Sequence, residues 1–252
     1  MLTFERHQAI LVKLEEAKVV KLSDLVEATG ASESTIRRDL TELESQKKLK
    51  RVHGGASLLT RRKDEPSLQE KSTKQSEEKQ SLGRFSAELI NDGDTVYIDA
   101  GSTTQAIVPF LKGKDIIVVT NGLNILNDLV AANTKTYVLG GYVKRGTRAF
   151  VGGGAFQTIQ SYQFDRAFLG MNGVDVSVGY STPDPEEAMI KQQAIERSTN
   201  AYVVVDHTKL GDVTFSKVAD LGSAELITSD KAESELVEII REQTNVQVVT
   251  QQ

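Results

Sequence analysis

Gly30-Ala31-Ser32-Glu33-Ser34-Thr35-Ile36-Arg37-Arg38-Asp39-Leu40 is the stretch on which the fold of this chain turns. The glycine can close one helix, and the Ser32 hydroxyl can accept from the orphan amides of the next. At about 100° per residue, Ile36, Leu40 and Leu43 share one face of a helix over residues 33–46. Ser34, Arg38 and Thr41 point the opposite way, with Thr35 and Arg37 on the flanks. Upstream, Phe4, Ile10, Leu11 and Leu14 form the apolar stripe of a helix over 3–16, and Leu22, Leu25 and Val26 that of a shorter one over 22–29. Two helices joined by a glycine turn make a helix-turn-helix, whose outward guanidinium and hydroxyl groups suit base edges and phosphates in a DNA major groove.

Downstream runs Lys47-Lys48-Leu49-Lys50-Arg51-Val52-His53-Gly54-Gly55-Ala56-Ser57-Leu58, two short strands around a Gly-Gly turn, which predicts a β-hairpin wing. The expected DNA contacts are therefore Ser32, Ser34, Thr35, Arg37, Arg38 and Thr41 on the helix, with Lys50, Arg51, His53, Gly54 and Gly55 in the wing. A basic helix alone is often only a solvated surface. Helix, glycine turn, capped basic helix and wing in that order argue for DNA instead.

Composition frames the rest. The chain has 252 residues, no cysteine and a formal net charge of −5. Disulfides, thiolate metal sites and a cysteine nucleophile are thereby excluded, and the composition suits a reducing compartment. The N-terminus lacks a basic segment followed by an apolar run, and nowhere do about 18 apolar residues follow one another, so a cytoplasmic protein is expected. Spread evenly, the acidic total would oppose a polyanionic partner. It is uneven: residues 1–62 hold 12 Lys and Arg against 9 Asp and Glu, while 63–252 hold 18 against 26. Two bodies with different electrostatic roles follow.

The segment 60–80 is polar, nearly free of apolar residues and contains Pro66, which predicts a linker between a DNA-binding domain over 1–59 and a second domain over 81–252. Its second half is expected to run on as a helix, since Leu82, Phe85, Leu89 and Ile90 begin a helical stripe. Beyond it, β-branched runs at 95–98, 116–120, 136–139, 166–169, 201–205 and 226–228 alternate with helical patterns at 103–111, 123–132, 155–162 and 185–197. That alternation predicts an α/β domain with a mainly parallel sheet.

In such sheets ligands bind outside the carboxyl ends of the strands. Asp99 ends one strand, and Gly101, Ser102, Thr103 and Thr104 open the following helix, where first-turn amides and hydroxyls can hold a phosphate. Asn121 and Gly122, Gly140 and Gly141, Asn172 and Gly173, and Asp206 and Lys209 mark the other strand ends. Thr182 and Asp184 precede the helix that Pro185 opens, and that helix carries Glu187 and Lys191. A carboxylate can accept from sugar hydroxyls and an ammonium can hold phosphate, although this pair at i,i+4 is equally suited to a surface ion pair. Arg148 is a further phosphate candidate. No metal site or cofactor is expected.

Ser32 to Leu40, followed by Leu49-Lys50-Arg51-Val52-His53-Gly54-Gly55-Ala56, resembles the DNA-binding signature of the DeoR family of bacterial transcriptional repressors. The resemblance extends through Asp99-Ala100-Gly101-Ser102-Thr103-Thr104, Thr120-Asn121-Gly122, Gly140-Gly141-Tyr142-Val143 and Asp206-His207-Thr208-Lys209. It implies a winged helix-turn-helix joined to a sugar-phosphate sensor whose fold is similar to ribose-5-phosphate isomerase and coenzyme A transferases. Within the family, residues 1–8, 31–40, 139–144 and 182–188 look most similar to fructose operon repressors of Gram-positive bacteria, which implies fructose 1-phosphate as effector. Repressors of lactose and tagatose catabolism, sensing tagatose 6-phosphate, are the alternative. A sugar-phosphate isomerase with a DNA-binding appendage is the enzymic one, but Ser181-Thr182-Pro183-Asp184-Pro185 stands where that isomerase has a lysine-glycine-rich loop. Double-stranded operator DNA and further copies of the chain, in a dimer or tetramer, are the expected partners.

Overall fold

The computed structural model describes residues 2–17, 19–46, 48–52, 54–58 and 66–250. Two units divide the chain, Met1–Asp64 and Glu65–Gln252.

The first unit runs α1 (Thr3–Ala17), β1 (Val19–Lys21), α2 (Leu22–Thr29), α3 (Glu33–Ser45), β2 (Leu49–Val52) and β3 (Gly55–Leu58). Gly30 ends α2 in the left-handed conformation at φ 66°, and the Ser32 hydroxyl caps α3 by accepting from the Thr35 amide. Ile36, Leu40 and Leu43 pack with Ile10, Leu14 and Leu25 in one core. The wing is larger than the sequence suggests. Its strands pair antiparallel in the order β1-β3-β2, with Val19–Lys21 as a third strand that three residues were too few to announce. Gly55 is therefore a position of close strand approach rather than a turn residue: a Cβ there would stand 2.1 Å from the Val20 carbonyl oxygen.

In the second unit α4 (Leu68–Thr73) and α5 (Ser76–Glu88) come first. α5 is the helix expected to run on from the second half of 60–80, whereas α4 and the burial of Glu78 and Lys79 correct the expectation of a solvated linker there. Polar residues hid the fold here, their charges being satisfied inside it. There follow β4 (Thr95–Ile98), α6 (Ser102–Gln105), β5 (Ile117–Thr120), α7 (Leu126–Ala131), β6 (Lys135–Val138), β7 (Tyr142–Lys144), β8 (Ala149–Val151), α8 (Gly153–Ile159) and β9 (Phe164–Leu169). The chain continues through β10 (Gly173–Asp175), β11 (Gly179–Thr182), α9 (Pro185–Glu196), β12 (Ser198–Val204), β13 (Ser216–Ala219), β14 (Glu225–Ser229), α10 (Ser234–Arg241) and β15 (Val246–Val249). The helices expected over 103–111 and 123–132 are each split: α6 is one turn followed by a 3-10 turn at Val108–Phe110, and a 3-10 turn at Leu123–Ile125 precedes α7.

Seven strands form one wholly parallel sheet in the order β15-β14-β12-β9-β4-β5-β6. A three-stranded antiparallel sheet, β10-β11-β13, and the β7-β8 ribbon stand apart from it. Alternation along β4 sends Val96 and Ile98 into a core shared with Leu82 of α5, and Tyr97 into the opposite core with Ala155 of α8 and Ile190 of α9. Asp99 follows Tyr97 by two residues, so it faces the α8–α9 layer. Strand order reverses at β4: the chain proceeds outward through β5 and β6, then returns to β9 on β4's other side. That topological switch is where a parallel α/β sheet opens a crevice for a ligand.

Candidate functional site

On α3 the DNA-facing residues expected from the sequence divide by what already holds them. Arg38 is exposed, and among the described residues nothing pairs with it. Arg37 is forked onto Glu33 Oε1 through Nη2 at 2.6 Å and Nε at 3.1 Å. Thr41 donates to the Arg37 carbonyl and accepts from Arg51 Nη1 at 2.9 Å, which ties the wing to α3. The Arg51 amide donates to Glu44 Oε1 at 2.7 Å. Ser32 contacts both the Ser34 and Thr35 hydroxyls. Leu22, Arg37, Leu40, Arg51, Val52, Gly54 and Gly55 line a groove between α3 and the wing. Lys50 lies on β2, and His53 falls outside the described residues.

Sequence periodicity missed Asp39. It sits on the buried side of α3 and binds Arg6 of α1 at 2.5 and 2.9 Å and His7 at 3.2 Å. Burial alone would raise this carboxyl, but hydrogen bonds and charge from Arg6, then His7, hold it below the usual carboxylate range. Its contribution to stability is accordingly present above that range and is lost as pH falls through the lowered value. The pair fixes the helix that presents Arg38.

In the second unit the centre of the candidate site is Asp99. It is fully buried at the end of β4; its Oδ2 pairs with Lys191 Nζ and accepts from the Gly170 amide at 3.1 Å. Lys191 Nζ also donates to the Gly170 carbonyl at 2.9 Å. Asp99 Oδ1 is buried with no hydrogen-bond partner among the described residues. Burial pushes the Asp99 carboxyl up, with Lys191 pulling it the other way. The surface ion pair weighed for Glu187 and Lys191 does not form. Both are buried on the inner face of α9, where Lys191 takes Asp99 while Glu187 accepts from Lys144 Nζ at 3.0 Å and Thr147 Oγ1 at 2.6 Å. Asp184 caps α9 and binds Lys144 at 3.1 Å; burial would raise its carboxyl, but the Lys144 hydrogen bond and the α9 amides lower it.

Other expected residues take supporting places around this centre. Asn121 Oδ1 accepts from the Ala100 amide at 2.9 Å, and Gly122 lies 3.2 Å from Ala100 at its would-be Cβ. Thr104 turns inward, its hydroxyl donating to the Asp99 carbonyl at 2.7 Å, so it is not a ligand donor. The amides of Ser102 and Thr103 sit in the first turn of α6 and lack intrahelical acceptors. Asn172 Oδ1 accepts from Thr182 at 3.1 Å. Gly173 serves packing, its Cβ position falling 2.4 Å from the Asp212 carbonyl oxygen. Gly140 adjoins Gly141, which is left-handed at φ 110°. Arg148 is itself left-handed at φ 55° and engages through its backbone, its side chain exposed.

Asp206 and Lys209 join a second cluster at the end of β12, two strands from β4 and so about 10 Å across the sheet. Lys209 lies 3.6 Å from Asp206. Burial would raise the Asp206 carboxyl, but Lys209, the Thr208 hydroxyl and Lys79 hold it low. Glu78 and Lys79 belong here too. Glu78 accepts from the His207 amide at 2.8 Å and Ser229 Oγ at 2.6 Å, while Lys79 Nζ donates to the Lys71 and Lys74 carbonyls at the end of α4. Burial lowers the Lys79 ammonium. Neither is apparent from the sequence, where their segment reads as solvated; Lys144, by position a phosphate candidate like Arg148, instead holds Glu187 and Asp184, and Thr147 carries no local signal.

Residues 6–62 match the DeoR-like helix-turn-helix domain and 74–231 the DeoR C terminal sensor domain. The chain is 46% identical over 250 residues, 99% of both chains, to a Bacillus subtilis (strain 168) protein described as the uncharacterized HTH-type transcriptional regulator FruR. It is 32% identical to the HTH-type transcriptional repressor GlcR of the same strain, over 90% of this chain and 88% of that one. To the lactose phosphotransferase system repressor of Staphylococcus aureus (strain N315) it is also 32% identical, over 97% and 98%. Among solved structures, ribose 5-phosphate isomerase A from Methanocaldococcus jannaschii aligns with 54% of this chain and 55% of its own at 14% identity and a TM-score of 0.41.

Proposed function

Because the chain belongs to the DeoR family and is a transcriptional repressor of that type, we propose that it controls a fructose-catabolism operon and is released from its operator by fructose 1-phosphate. The observation that carries the effector site is Asp99 Oδ1. A buried carboxylate oxygen without a partner costs on the order of 1–3 kcal/mol, more when charged. A sugar hydroxyl donating to it recovers that cost. The Ser102 and Thr103 amides beside Asp99 are the donors for phosphate. The resemblance of residues 1–8, 31–40, 139–144 and 182–188 to fructose operon repressors supports fructose 1-phosphate; 32% identity to the lactose phosphotransferase system repressor over nearly the whole chain keeps tagatose 6-phosphate as the second reading.

We read the site as non-catalytic. Aldose–ketose isomerisation needs a carboxylate free to move a proton at C1 and C2 and a cation at the developing oxyanion. Here the central carboxylate and the nearest cation are locked onto each other. The protein works in the cytoplasm, where its operator lies, as a homo-oligomer whose paired α3 helices meet repeated half-sites.

The test is operator-fragment binding titrated with fructose 1-phosphate, fructose 6-phosphate and tagatose 6-phosphate, each mixture also assayed for isomeric product. Fructose 1-phosphate should weaken operator binding about 5- to 150-fold, the usual span of allosteric coupling. Turnover at an enzymic rate contradicts the non-catalytic reading, and indifference to all three sugars contradicts the effector.

A further inference from the structure

We propose that the hydrogen bond from the Leu68 amide to the Gly146 carbonyl, 2.8 Å long, carries the effector signal out of the sensor unit. The proposal rests on the effector reading above and names how that site is coupled to DNA release.

The signal begins at the β7-β8 ribbon. Its two strands form a sheet of their own, bridged among the described residues to the Asn121 loop through Ala149 and Gly122, and two strands alone are marginally stable in water. Glycines stand at both feet: Gly141 at φ 110°, where a Cβ would lie 2.2 Å from the Val151 carbonyl oxygen, and Gly152 at φ 88°. What braces the ribbon is therefore its side contacts. Lys144 and Thr147 hold Glu187, the Phe150 amide donates to the Asn121 carbonyl at 2.7 Å, and the Leu123 amide donates to the Arg148 carbonyl at 2.9 Å. Each of these braces ends on the candidate effector site. A ligand that draws on Glu187, Lys144 or the Asn121 loop thus alters the seating of the ribbon, and with it the position of the Gly146 carbonyl at the tip.

Leu68 receives that change. It is the first residue of α4, the first element after residues 59–65, which join the sensor to the DNA-binding unit. The same helix packs against α6, whose first-turn amides belong to the site, and its last carbonyls are held by Lys79.

The bond can be removed without dismantling the helix. Proline is favoured at the first helical position, whose N–H has no intrahelical acceptor. Ser67, at φ −57° and ψ 157°, already has the extended backbone that precedes proline. Leu68→Pro deletes the donor and trims a buried side chain; Leu68→Ala trims the side chain and keeps the donor. The α-hydroxy analogue of leucine at 68, which puts an ester oxygen in place of N–H, deletes the donor and keeps the side chain. All three are made in the full chain and assayed for operator binding, fructose 1-phosphate binding and the change in operator affinity that saturating fructose 1-phosphate produces.

Leu68→Pro and the ester should bind operator and sugar phosphate within about twofold of the parent, yet lose at least about fivefold of the effector-driven change. Leu68→Ala should respond as the parent does. A parent that responds alongside an ester variant that responds equally overturns this proposal alone. Equal losses in Leu68→Ala and the ester overturn it in favour of side-chain packing. A parent that ignores every sugar phosphate tested overturns the effector reading and the proposal with it.

Discussion

Arg38→Ala is expected to weaken operator binding by about 30-fold or more and to leave fructose 1-phosphate binding unchanged. Arg38 is exposed on the outward face of α3 with no partner among the described residues, whereas Arg37 is held by Glu33 and Arg51 by Thr41. A guanidinium that is free in the unbound protein can fork onto a guanine edge without first breaking an internal contact. Such a contact discriminates by about 1–3 kcal/mol, and the proposed homo-oligomer on paired half-sites would lose it twice, so about 2–6 kcal/mol or roughly 30- to 10⁴-fold in affinity is at stake. Fluorescence anisotropy with a labelled operator measures the loss, and calorimetry with the sugar phosphate measures what remains. Loss of both activities together contradicts the assignment of the two functions to separate units.

The second large effect belongs to Lys191. Lys191→Ala should lower the melting temperature of the sensor unit by about 10 °C and abolish the response to sugar phosphate. Removing this ammonium leaves Asp99 as an unpaired charge in a fully buried position, which costs about 3–5 kcal/mol; in a domain of this size each kcal/mol shifts the melting point by about 2–4 °C. The deficit should shrink as the pH falls. Burial already raises the Asp99 carboxyl, and protonating it removes the uncompensated charge. Asp99→Asn combined with Lys191→Met removes both charges and should restore most of the melting temperature without restoring the sugar-phosphate response. A double variant that melts normally and responds normally would place the effector elsewhere.

How much of this was legible beforehand depended on whether a residue's surroundings are local in sequence. The α3 helix, its Ser32 cap and its buried Ile36, Leu40 and Leu43 were legible, because capping and helical periodicity are short-range properties. Six strands of the parallel sheet were legible as β-branched runs, and Asp99 as a polar residue at the end of one; the edge strand β15, after the last helix, was not. Contacts made across long sequence separations were not. Lys191 meets Asp99 92 residues away, and Glu78 meets Ser229 151 residues away. In both cases i,i+4 spacing or a polar neighbourhood suggested a solvated surface. Thr104 shows the opposite error: a hydroxyl that suits a phosphate by position serves the backbone of its own turn. The split of the helices after β4 and β5 was equally hidden, since helical periodicity does not distinguish one continuous helix from two short turns in sequence.

The most direct test of the central claim, that one chain couples a sugar-phosphate site on the sheet edge to DNA held by α3, is thermodynamic reciprocity. Fructose 1-phosphate is titrated by calorimetry into the free protein and into the protein saturated with operator fragment. If the effector weakens operator binding by some factor, operator must weaken effector binding by that same factor, about 5- to 150-fold for couplings of the usual size. Equal effector affinities in the presence and absence of operator would contradict the account.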